Sequence, residues 1–491
     1  MITISQTLSK PITEYDFLGY DDTHPPELLA QGMFTKAENV FVSEKKIVKV
    51  FGSSAIASSI STQKFNGLTP FEIITSGVKY LVANVNGVSN AQLYKWNGSG
   101  NFAAIGSANL TNDLPMYFVA AANYLFGVNG TEVVDWDGTT VTKNRANVPI
   151  GYYTEWFHNY LFIANNANYP SRLYWSDLGT PLTFTAANYV DINPGDSDYI
   201  TGLAITQDEL LVFKKNTIWA ITGWSGTSFS SATISTQNTN SRIFGFGTMS
   251  PLSIVEVGNE VYFFSMLGNT PVIRSLYKTI NSITLAGGII SEGIRGTLND
   301  VTLSALNKIA GIYDGRYVYW AIPTAGSSIN NKIIVLDTQQ ISKYRFSRNV
   351  YPFTTMKGKN AQSFALSTIP GYSNIYFADS SIVVASPVQY SGLVLKFDTS
   401  IHSDKGTPIA IDIQTRKFML DSARKSKWKY LYFKYDSGVA STLNINALVD
   451  SSSLFTPQKS KSLISMSPGL GPTGTFTLGA SLLGGSVVLS R

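Results

Sequence analysis

Few side chains in this sequence have the types and spacing that chemistry requires. The three histidines, His24, His158 and His402, fall in three different regions and at no spacing typical of metal ligands. We interpret them as surface or structural histidines. The absence of cysteine excludes disulfides, thiolate metal sites and thiol nucleophiles. The chain also has no phosphate-binding glycine loop, dinucleotide fingerprint or nucleophile elbow, so we predict no catalytic residue, no metal and no cofactor.

Two groups of acids have the composition of a calcium site, because calcium prefers clustered carboxylate oxygens. The first is the run from Asp135 to Gly138, which reads Asp-Trp-Asp-Gly. The second group comprises Asp191, Asp196 and Asp198. A run of the form Asp-x-Asp-Gly is also typical of a hairpin turn. We favour the turn, and calcium binding is the alternative.

Positive charge is concentrated near the C-terminal end of the sequence. Residues 401–491 hold 11 Lys and Arg against 5 Asp, whereas the preceding residues hold 26 basic and 27 acidic side chains. A basic cluster beside Trp428 could contact phosphates or stack on bases. No recognised nucleic-acid-reading module accompanies it, so we predict a solvated turn or a subunit interface. The candidate interface residues are Arg424, Lys425, Lys427 and Lys429.

The elements that position these residues are best seen in the stretch from Tyr199 to Gly223. Three short apolar segments, Ile200 to Thr206, Leu210 to Phe213 and Thr217 to Ile221, are separated by polar turns. Segments of four to seven residues without a helical period predict an antiparallel β-meander. A single sheet of this size leaves apolar faces unburied, so it requires neighbours of the same kind.

The same unit recurs along the chain and predicts an all-β fold. A polar turn followed by a Tyr-, Leu-, Val- or Ile-rich strand occurs seven times at spacings of 36 to 60 residues. This is close to the length of one four-stranded propeller blade, about 40 to 50 residues. Radial repetition of small sheets protects the edges of a long antiparallel chain. We therefore predict a β-propeller of about six or seven blades. The turns of the seven units begin at Gly77, Asn123, Asn159, Asp208, Asn259, Asp314 and Asn374.

Composition changes along the chain predict three regions. Residues 1–44, with Pro11 and Pro25-Pro26, lack the repeat and are expected to form an extended N-terminal arm. Residues 45–400 are expected to form the propeller, with Lys46 to Phe51 pairing with the last blade and a short helix at Leu298 to Asn307. Residues 401–491 are expected to form a small β-sandwich-like domain and an apolar tail. No apolar run is long enough for a membrane span, and the N-terminus does not resemble a signal peptide, so we expect a soluble protein.

One phrase, Ser176 to Phe184, resembles the Asp-box turn of sialidase-type propellers, with altered spacing. In those proteins the box is a structural turn away from the active site. The resemblance therefore concerns the fold rather than catalysis. A carbohydrate-binding or glycoside-hydrolysing propeller remains the alternative function, and hydrolysis would require two carboxyl groups facing each other about 5 to 10 Å apart.

Longer phrases resemble the tail nozzle or tail hub proteins of short-tailed bacteriophages. The main ones are Tyr169 to Phe184, Asn188 to Leu203 and the strand pair from Leu210 to Gly223. Further landmarks of that family are Pro25-Pro26-Glu27-Leu28-Leu29, Ala37 to Phe41, Ser291 to Arg295, Thr415 to Phe418 and Arg424 to Trp428. The resemblance touches most of the chain, and its motifs carry the fold.

The resemblance implies a non-enzymatic virion structural protein. Its subunits would form a homohexameric ring below the portal and its adaptor, assembled in the bacterial host cytoplasm and incorporated in the virion tail. The central channel would pass the genome during ejection without sequence-specific binding, and the outer surface would hold tail fibres or spikes. The protein would have no membrane-spanning segment.

Overall fold

The computed structural model describes residues 17–43, 46–206, 209–221, 239–280, 288–344, 351–369, 374–416, 431–436, 443–447, 459–463, 473–478 and 488–490. The chain divides into two compact units, Met1–Arg416 and Lys417–Arg491. No helix among the described residues is both long and apolar enough to cross a bilayer.

The first unit begins with five short strands that precede the repeats. The strands β3 and β4 form a hairpin of their own, whereas the other three join the sheets of later blades. Their bounds are β1 Gly19–Tyr20, β2 Met33–Glu38, β3 Val40–Ser43, β4 Lys46–Lys49 and β5 Gly52–Ala55.

The next four sheets are four-stranded antiparallel meanders, and each forms one blade. Blade 1 contains β6 Phe65–Ile73, β7 Val78–Val85, β8 Gln92–Trp96 and β9 Ala103–Ala104. Blade 2 contains β10 Tyr117–Ala121, β11 Tyr124–Val128, β12 Val133–Trp136 and β13 Val141–Lys143. Blade 3 contains β14 Tyr153–Phe157, β15 Tyr160–Asn166, β16 Tyr169–Trp175 and β17 Tyr189–Asp191. Blade 4 contains β18 Ile200–Ile205, β19 Leu210–Lys214, β20 Thr217–Ile221 and β21 Thr239–Phe244.

The remaining three blades are less regular. Blade 5 has three strands, β22 Val255–Val257, β23 Glu260–Leu267 and β24 Thr270–Ser275. Blade 6 is built on β25 Ala310–Tyr313, β26 Tyr317–Ile322, β27 Lys332–Asp337 and β28 Phe353–Lys357. Blade 7 contains β29 Ala361–Ser367, β30 Asn374–Asp379, a separate hairpin of β31 Ile382–Ala385 and β32 Val388–Tyr390, and then β33 Val394–Asp398. The short strands β34 Ser403–Asp404, β35 Thr407–Pro408 and β36 Asp412–Thr415 follow.

Short helices occupy the connections of blades 5 and 6. They are α1 Leu276–Ile280, α2 Arg295–Asn299 and α3 Thr338–Tyr344, with single 3₁₀ turns at Pro251–Ser253, Glu292–Ile294 and Leu303–Lys308. The sequence predicted one helix at Leu298 to Asn307. In the structure this range overlaps the end of α2 and the 3₁₀ segment Leu303–Lys308. The structure breaks that helix in two.

The described residues of the first unit form nine sheets, and seven of these are arranged radially as the blades of a β-propeller. The first strand of each blade is the inner one, and these strands contact one another in chain order. Thus β6 contacts β10, β10 contacts β14 and β14 contacts β18. The turn Pro251–Ser253 links β18 to β25, which contacts β22 and β29, and β29 contacts β6. The prediction of an all-β propeller of about six or seven blades is confirmed.

The ring is closed by a strand from the beginning of the chain. The strand β5 pairs antiparallel with β33 of the last blade, with Ser53 opposite Phe397. The Ser53 hydroxyl donates a hydrogen bond to Asp404 Oδ1 at 2.8 Å, and Lys359 Nζ lies 2.9 Å from the same carboxylate. The prediction that Lys46 to Phe51 closes the ring is therefore wrong by a few residues, because β4 turns back onto β3 instead.

The N-terminal arm expected at residues 1–44 is part of the propeller where the structure describes it. The strand β2 pairs with β28 of blade 6 and with β36, and β1 pairs with β2. Tyr20, Phe34 and Val40 are buried in one core cluster with Trp320. The strands within residues 17–43 are thus part of the propeller rather than a surface arm, and removing residues 1–44 would remove strands that extend the sheet of blade 6.

The predicted boundary at residue 400 also differs from the structure. The strand β36 pairs antiparallel with β2, and the compact unit extends to Arg416. Residues 401–416 therefore belong to the propeller unit.

The second unit contains two small sheets in its described part. One sheet has the order β37 Leu431–Asp436, β40 Thr473–Leu478 and β41 Val488–Ser490. The other pairs β38 Leu443–Ala447 with β39 Lys459–Leu463. The described part of this region is thus made of β-strands, whereas the sandwich stays a prediction.

Replacing Gly52 by Ala should weaken ring closure. A Cβ at this position would lie 2.3 Å from the carbonyl oxygen of Ser403, which is backbone and has little freedom to move. Overpacking of this kind costs about 1–3 kcal/mol. We expect a lower urea midpoint for Gly52→Ala, followed by tryptophan fluorescence. The control is Ala55→Ser, an exposed position in the same strand, which should leave the midpoint unchanged. Equal midpoints for the two variants would contradict the role of Gly52.

Candidate functional site

The structure places the three histidines in three separate local settings. His24 Nδ1 lies 2.8 Å from Asp21 Oδ2 in a loop before β2. His158 is in the turn between β14 and β15, with its ring 3.9 Å from that of Phe157. His402 Nδ1 lies 3.0 Å from the carbonyl oxygen of Val50, beside the closing strand. The histidines are not brought together.

The first acidic run forms a hairpin turn between β12 and β13. Asp137 Oδ1 accepts hydrogen bonds from the backbone amides of Thr139 and Thr140, at 2.8 and 2.6 Å. These bonds hold the pKa of Asp137 below its ordinary value. Asp135 is buried and accepts two bonds from the Arg145 guanidinium, at 3.0 and 2.7 Å. The turn interpretation is confirmed.

The phrase that resembles an Asp box also forms a turn, between β16 and β17. The Asp177 carboxylate accepts hydrogen bonds from Thr185 Oγ1 and Asn188 Nδ2, both at 2.9 Å. The amide of Gly179 donates to the carbonyl of Asn159, which ties the turn to its own blade. Asp177 therefore stabilises a connection.

An open groove of about 530 Å³ lies between blades 3 and 4, at the face where the inner strands begin. We call it the tyrosine groove. Tyr152 lies just before β14 and Tyr153 is its first residue, Pro170 lies at the start of β16, and Tyr199 precedes β18. The connection from Ile192 to Asp198 forms a wall of the groove. The sequence analysis identified Tyr169 to Phe184 and Asn188 to Leu203 by their resemblance to a family. It did not predict that residues from this region line a groove.

The wall of the tyrosine groove is held by a buried lysine. Lys214, at the end of β19, is 0% exposed. Its Nζ donates to both carboxylate oxygens of Asp196 at 2.8 and 2.7 Å, and to the carbonyl of Ile192 at 3.1 Å. Burial alone would raise the pKa of Asp196, but these bonds with Lys214 hold it below its ordinary value. Because the ammonium satisfies several loop oxygens at once, it fixes the conformation of the connection.

Asp198 completes the wall by binding backbone amides. Its carboxylate accepts hydrogen bonds from the amides of Tyr199, Lys215 and Asn216, at 3.0, 3.0 and 2.9 Å. These bonds join the connection before β18 to the turn after β19. Asp191 is bound elsewhere, by two bonds of 2.7 and 2.9 Å from Arg172. The three acids of the second predicted group are therefore close in sequence but serve three different contacts.

No group of three or more His, Asp or Glu side chains in the described part of the chain is arranged to hold a metal ion. The acids above instead bind Arg145, Arg172, Lys214 and backbone amides.

The tyrosines of the groove are positioned by close packing. The Tyr152 ring rests on Gly130, where φ is +86° and a Cβ would lie 2.1 Å from a ring carbon. The Tyr153 ring packs edge-on against that of Tyr117, with centroids 5.0 Å apart. Burial raises the pKa of Tyr153, and the neighbouring phenols of Tyr199 and Tyr152 raise it further. The Tyr153 phenol consequently keeps its proton at neutral pH and can both donate and accept hydrogen bonds.

Two carboxyl groups on inner strands interact from different blades. Burial raises the pKa of Glu155, in β14, to about 8, and the charge of Glu256 adds to the shift. Glu256, in β22, also has a raised pKa through burial, and it accepts a hydrogen bond from the amide of Ile205 at 2.6 Å.

The four predicted interface residues Arg424, Lys425, Lys427 and Lys429 lie outside the described residues. Their assignment stays a prediction. Sequence reasoning did not identify Tyr152, Tyr153 or Lys214 as site residues. One signal for Lys214 was available in the sequence. This lysine directly follows the apolar run from Leu210 to Phe213, and it is the last residue of the buried strand β19.

Comparison with known proteins identifies similar folds at low sequence identity. No protein-family model matches the chain, and no curated protein is similar to it. The WD40 domain of Neurospora crassa Pan2 is 7% identical, with a TM-score of 0.42, over 72% of this chain and 98% of that chain. The CNH domain of AfRom2 is 10% identical, with a TM-score of 0.39, over 71% and 99%. The N-terminal domain of Nup159 is 11% identical, with a TM-score of 0.35, over 74% and 98%.

Replacing Lys214 by Met should release the wall of the tyrosine groove. The variant leaves the carbonyl of the buried Ile192 and the partly exposed carboxylate of Asp196 without their ammonium partner, and an unsatisfied buried acceptor costs about 1–3 kcal/mol. We expect a lower urea midpoint and faster proteolysis within residues 192–198. Lys215→Met is the matched control, because its side chain is exposed in the same turn. Similar loss in both variants would show that the burial of Lys214 is not the cause.

Replacing Glu155 by Gln should reduce the pH dependence of stability. The folded state keeps a proton on Glu155 up to a pKa of about 8, whereas the ordinary value is 4.5. The folded state therefore binds more protons between these values, and stability falls as the pH rises through this window. Gln removes that loss. At pH 8 we expect Glu155→Gln to exceed the wild type by at least about 1 kcal/mol in free energy of unfolding, since one pKa unit corresponds to about 1.4 kcal/mol.

The measurement is urea unfolding at pH 5 and pH 8. Glu72→Gln, at an exposed position of β6, serves as the control and should keep the wild-type difference between the two pH values. A Glu155→Gln variant with an unchanged pH difference would contradict the assignment.

Proposed function

We propose that this protein is a virion structural subunit, part of a ring-shaped tail nozzle or hub of a short-tailed bacteriophage. The proposal rests on the resemblance of Tyr169 to Phe184, Asn188 to Leu203 and Leu210 to Gly223 to that family. The observation that carries the proposal is that the acidic side chains in these phrases form structural contacts. Asp177, Asp191 and Asp198 all bind donors that connect strands or blades. A resemblance built on such residues supports a scaffold role rather than catalysis.

The proposed assembly is a homohexamer below the portal and its adaptor ring. The centre of the ring would pass the genome without reading its sequence, and the outer surface would hold fibres or spikes. The subunit would act without turnover, cofactor or metal, and would reach the virion tail after assembly in the bacterial host cytoplasm. Subunit contacts would include Arg424, Lys425, Lys427 and Lys429.

A glycoside-hydrolysing propeller is the alternative, and the tyrosine groove gives it little support. Hydrolysis needs two carboxyl groups across the bound sugar, one of them able to hold a proton. The carboxylate among the residues that line this groove is Asp198. Its oxygens already accept bonds from three backbone amides. The groove therefore favours binding over cleavage.

The proposal predicts ring particles whose assembly depends on charge. We expect purified full-length protein to form sixfold rings by negative-stain electron microscopy, with a matching mass by light scattering. Replacing Arg424, Lys425, Lys427 and Lys429 by Ser should slow assembly mainly at low salt. Exposed charges act over about 8–10 Å at physiological salt, so they steer docking more than they hold the ring.

The control removes four lysines of the propeller unit, by Ser substitution of Lys36, Lys79, Lys215 and Lys357. It should assemble at the wild-type rate. A monomeric mass for the wild type under all salt conditions, with or without candidate adaptor rings, would overturn the proposal. Equal slowing by both sets of substitutions would remove the assigned role of the C-terminal cluster.

A further inference from the structure

The tyrosine groove has the surface chemistry of a binding site. Tyr152 and Tyr199 are 38% and 39% exposed, although both are large aromatic side chains. Tyr153 and Pro170 continue the same surface. Binding pockets are typically concave, mostly apolar and between about 300 and 1,000 Å³, with a few polar groups that set orientation. The groove, at about 530 Å³, fits this description.

The groove offers a ligand little accessible charge. Asp198 keeps its negative charge, but its side chain is buried and its oxygens accept hydrogen bonds from three backbone amides, and Asp196 is paired with Lys214. The remaining residues that line the groove carry no formal charge. A charged ligand would lose hydration without gaining a partner, so the groove favours a neutral one.

The polar groups that remain are mostly hydroxyls. Tyr153 keeps its phenol proton, and Ser197 and the phenols of Tyr152 and Tyr199 also line the groove. A hydroxyl both donates and accepts hydrogen bonds, as do the hydroxyls of a sugar. Tyrosine adds a rigid face for apolar contact at a low entropic cost.

The backbone of the wall is poorly suited to an extended peptide. Peptides that bind by strand addition need a row of free backbone groups. The amide of Asp198 donates to Asp196 at 2.9 Å, and the amides of Tyr199, Lys215 and Asn216 donate to Asp198. These donors are used within the fold. The walls therefore present side chains rather than backbone to a ligand.

From this combination we propose that the tyrosine groove binds a neutral oligosaccharide, with sugar rings stacked on Tyr152 and Tyr199. The groove is formed within one chain, so the inference goes beyond the proposed assembly role and does not depend on it. Its shape is set before binding. Gly130 seats the Tyr152 ring, Lys214 holds the wall, and Asn165 Nδ2 donates to the carbonyl of Ile200 at 2.6 Å. Such preorganisation lowers the entropy lost on binding.

The test measures binding of neutral oligosaccharides to the full chain. The probes are maltotetraose and tetra-N-acetylchitotetraose, titrated to millimolar concentration with saturation-transfer NMR and calorimetry. We expect at least one to bind. The double variant Tyr152→Ala with Tyr199→Ala should weaken that binding at least tenfold. The corresponding double Phe variant keeps the rings and should lose less.

Tyr277→Ala serves as the matched control, because Tyr277 is 57% exposed on α1 of blade 5 and should not affect binding. Urea midpoints establish that each variant is folded. No binding of either sugar, or wild-type affinity in the double Ala variant, would overturn the proposal. Binding of a proline-rich decapeptide that is lost in the double Ala variant, without any sugar binding, would assign the groove to a peptide instead. Particle mass, recorded on the same samples, tests the assembly role separately.

Discussion

The ring depends on the pairing of β5 with β33. In a propeller the first and last blades must meet, and here β5, from before the first blade, adds the next strand outside β33 of the last blade while β29 contacts β6. Strand pairing alone would leave this junction as an edge that could separate. The carboxylate of Asp404 reinforces it by joining Ser53 of the closing strand to Lys359, which precedes β29. Closure is thus both a sheet contact and a buried polar contact between segments distant in sequence.

The same solution recurs at the tyrosine groove on a smaller scale. Lys214 and Asp198 join the connection between blades 3 and 4 to the turn after β19. In both places a buried charged group bonds to partners from more than one segment of the chain. Such groups are strongly destabilising when one partner is missing, so they favour a single arrangement of the loops around them. This explains how a loop-built groove keeps a defined shape.

The sequence predicts the regular parts of this fold because burial determines their composition. The central strands β11, β19 and β26 are buried on both faces and therefore consist of continuous apolar runs. The polar turns between them mark the repeat. The closing strand was not predicted because Gly52-Ser53-Ser54-Ala55 has no apolar pattern. Gly52 is required by the nearby backbone of Ser403, and a sequence does not display that approach. The strand β2 was missed for a related reason, since its partners lie more than 300 residues away.

The site was harder to predict than the fold, and the reason is electrostatic. Sequence reasoning looks for carboxylates, histidines and lysines as the residues that carry chemistry. In this molecule the acids and the lysine around the groove form ion pairs and hydrogen bonds within the fold instead. Asp191 binds Arg172, whose guanidinium also stacks between the rings of Tyr169 and Tyr189 at 3.8 and 3.9 Å. Satisfying the charges in this way leaves aromatic rings and hydroxyls as the exposed surface of the groove. Recognition there must therefore come from ring faces and neutral hydrogen bonds, whose residues carry no sequence motif.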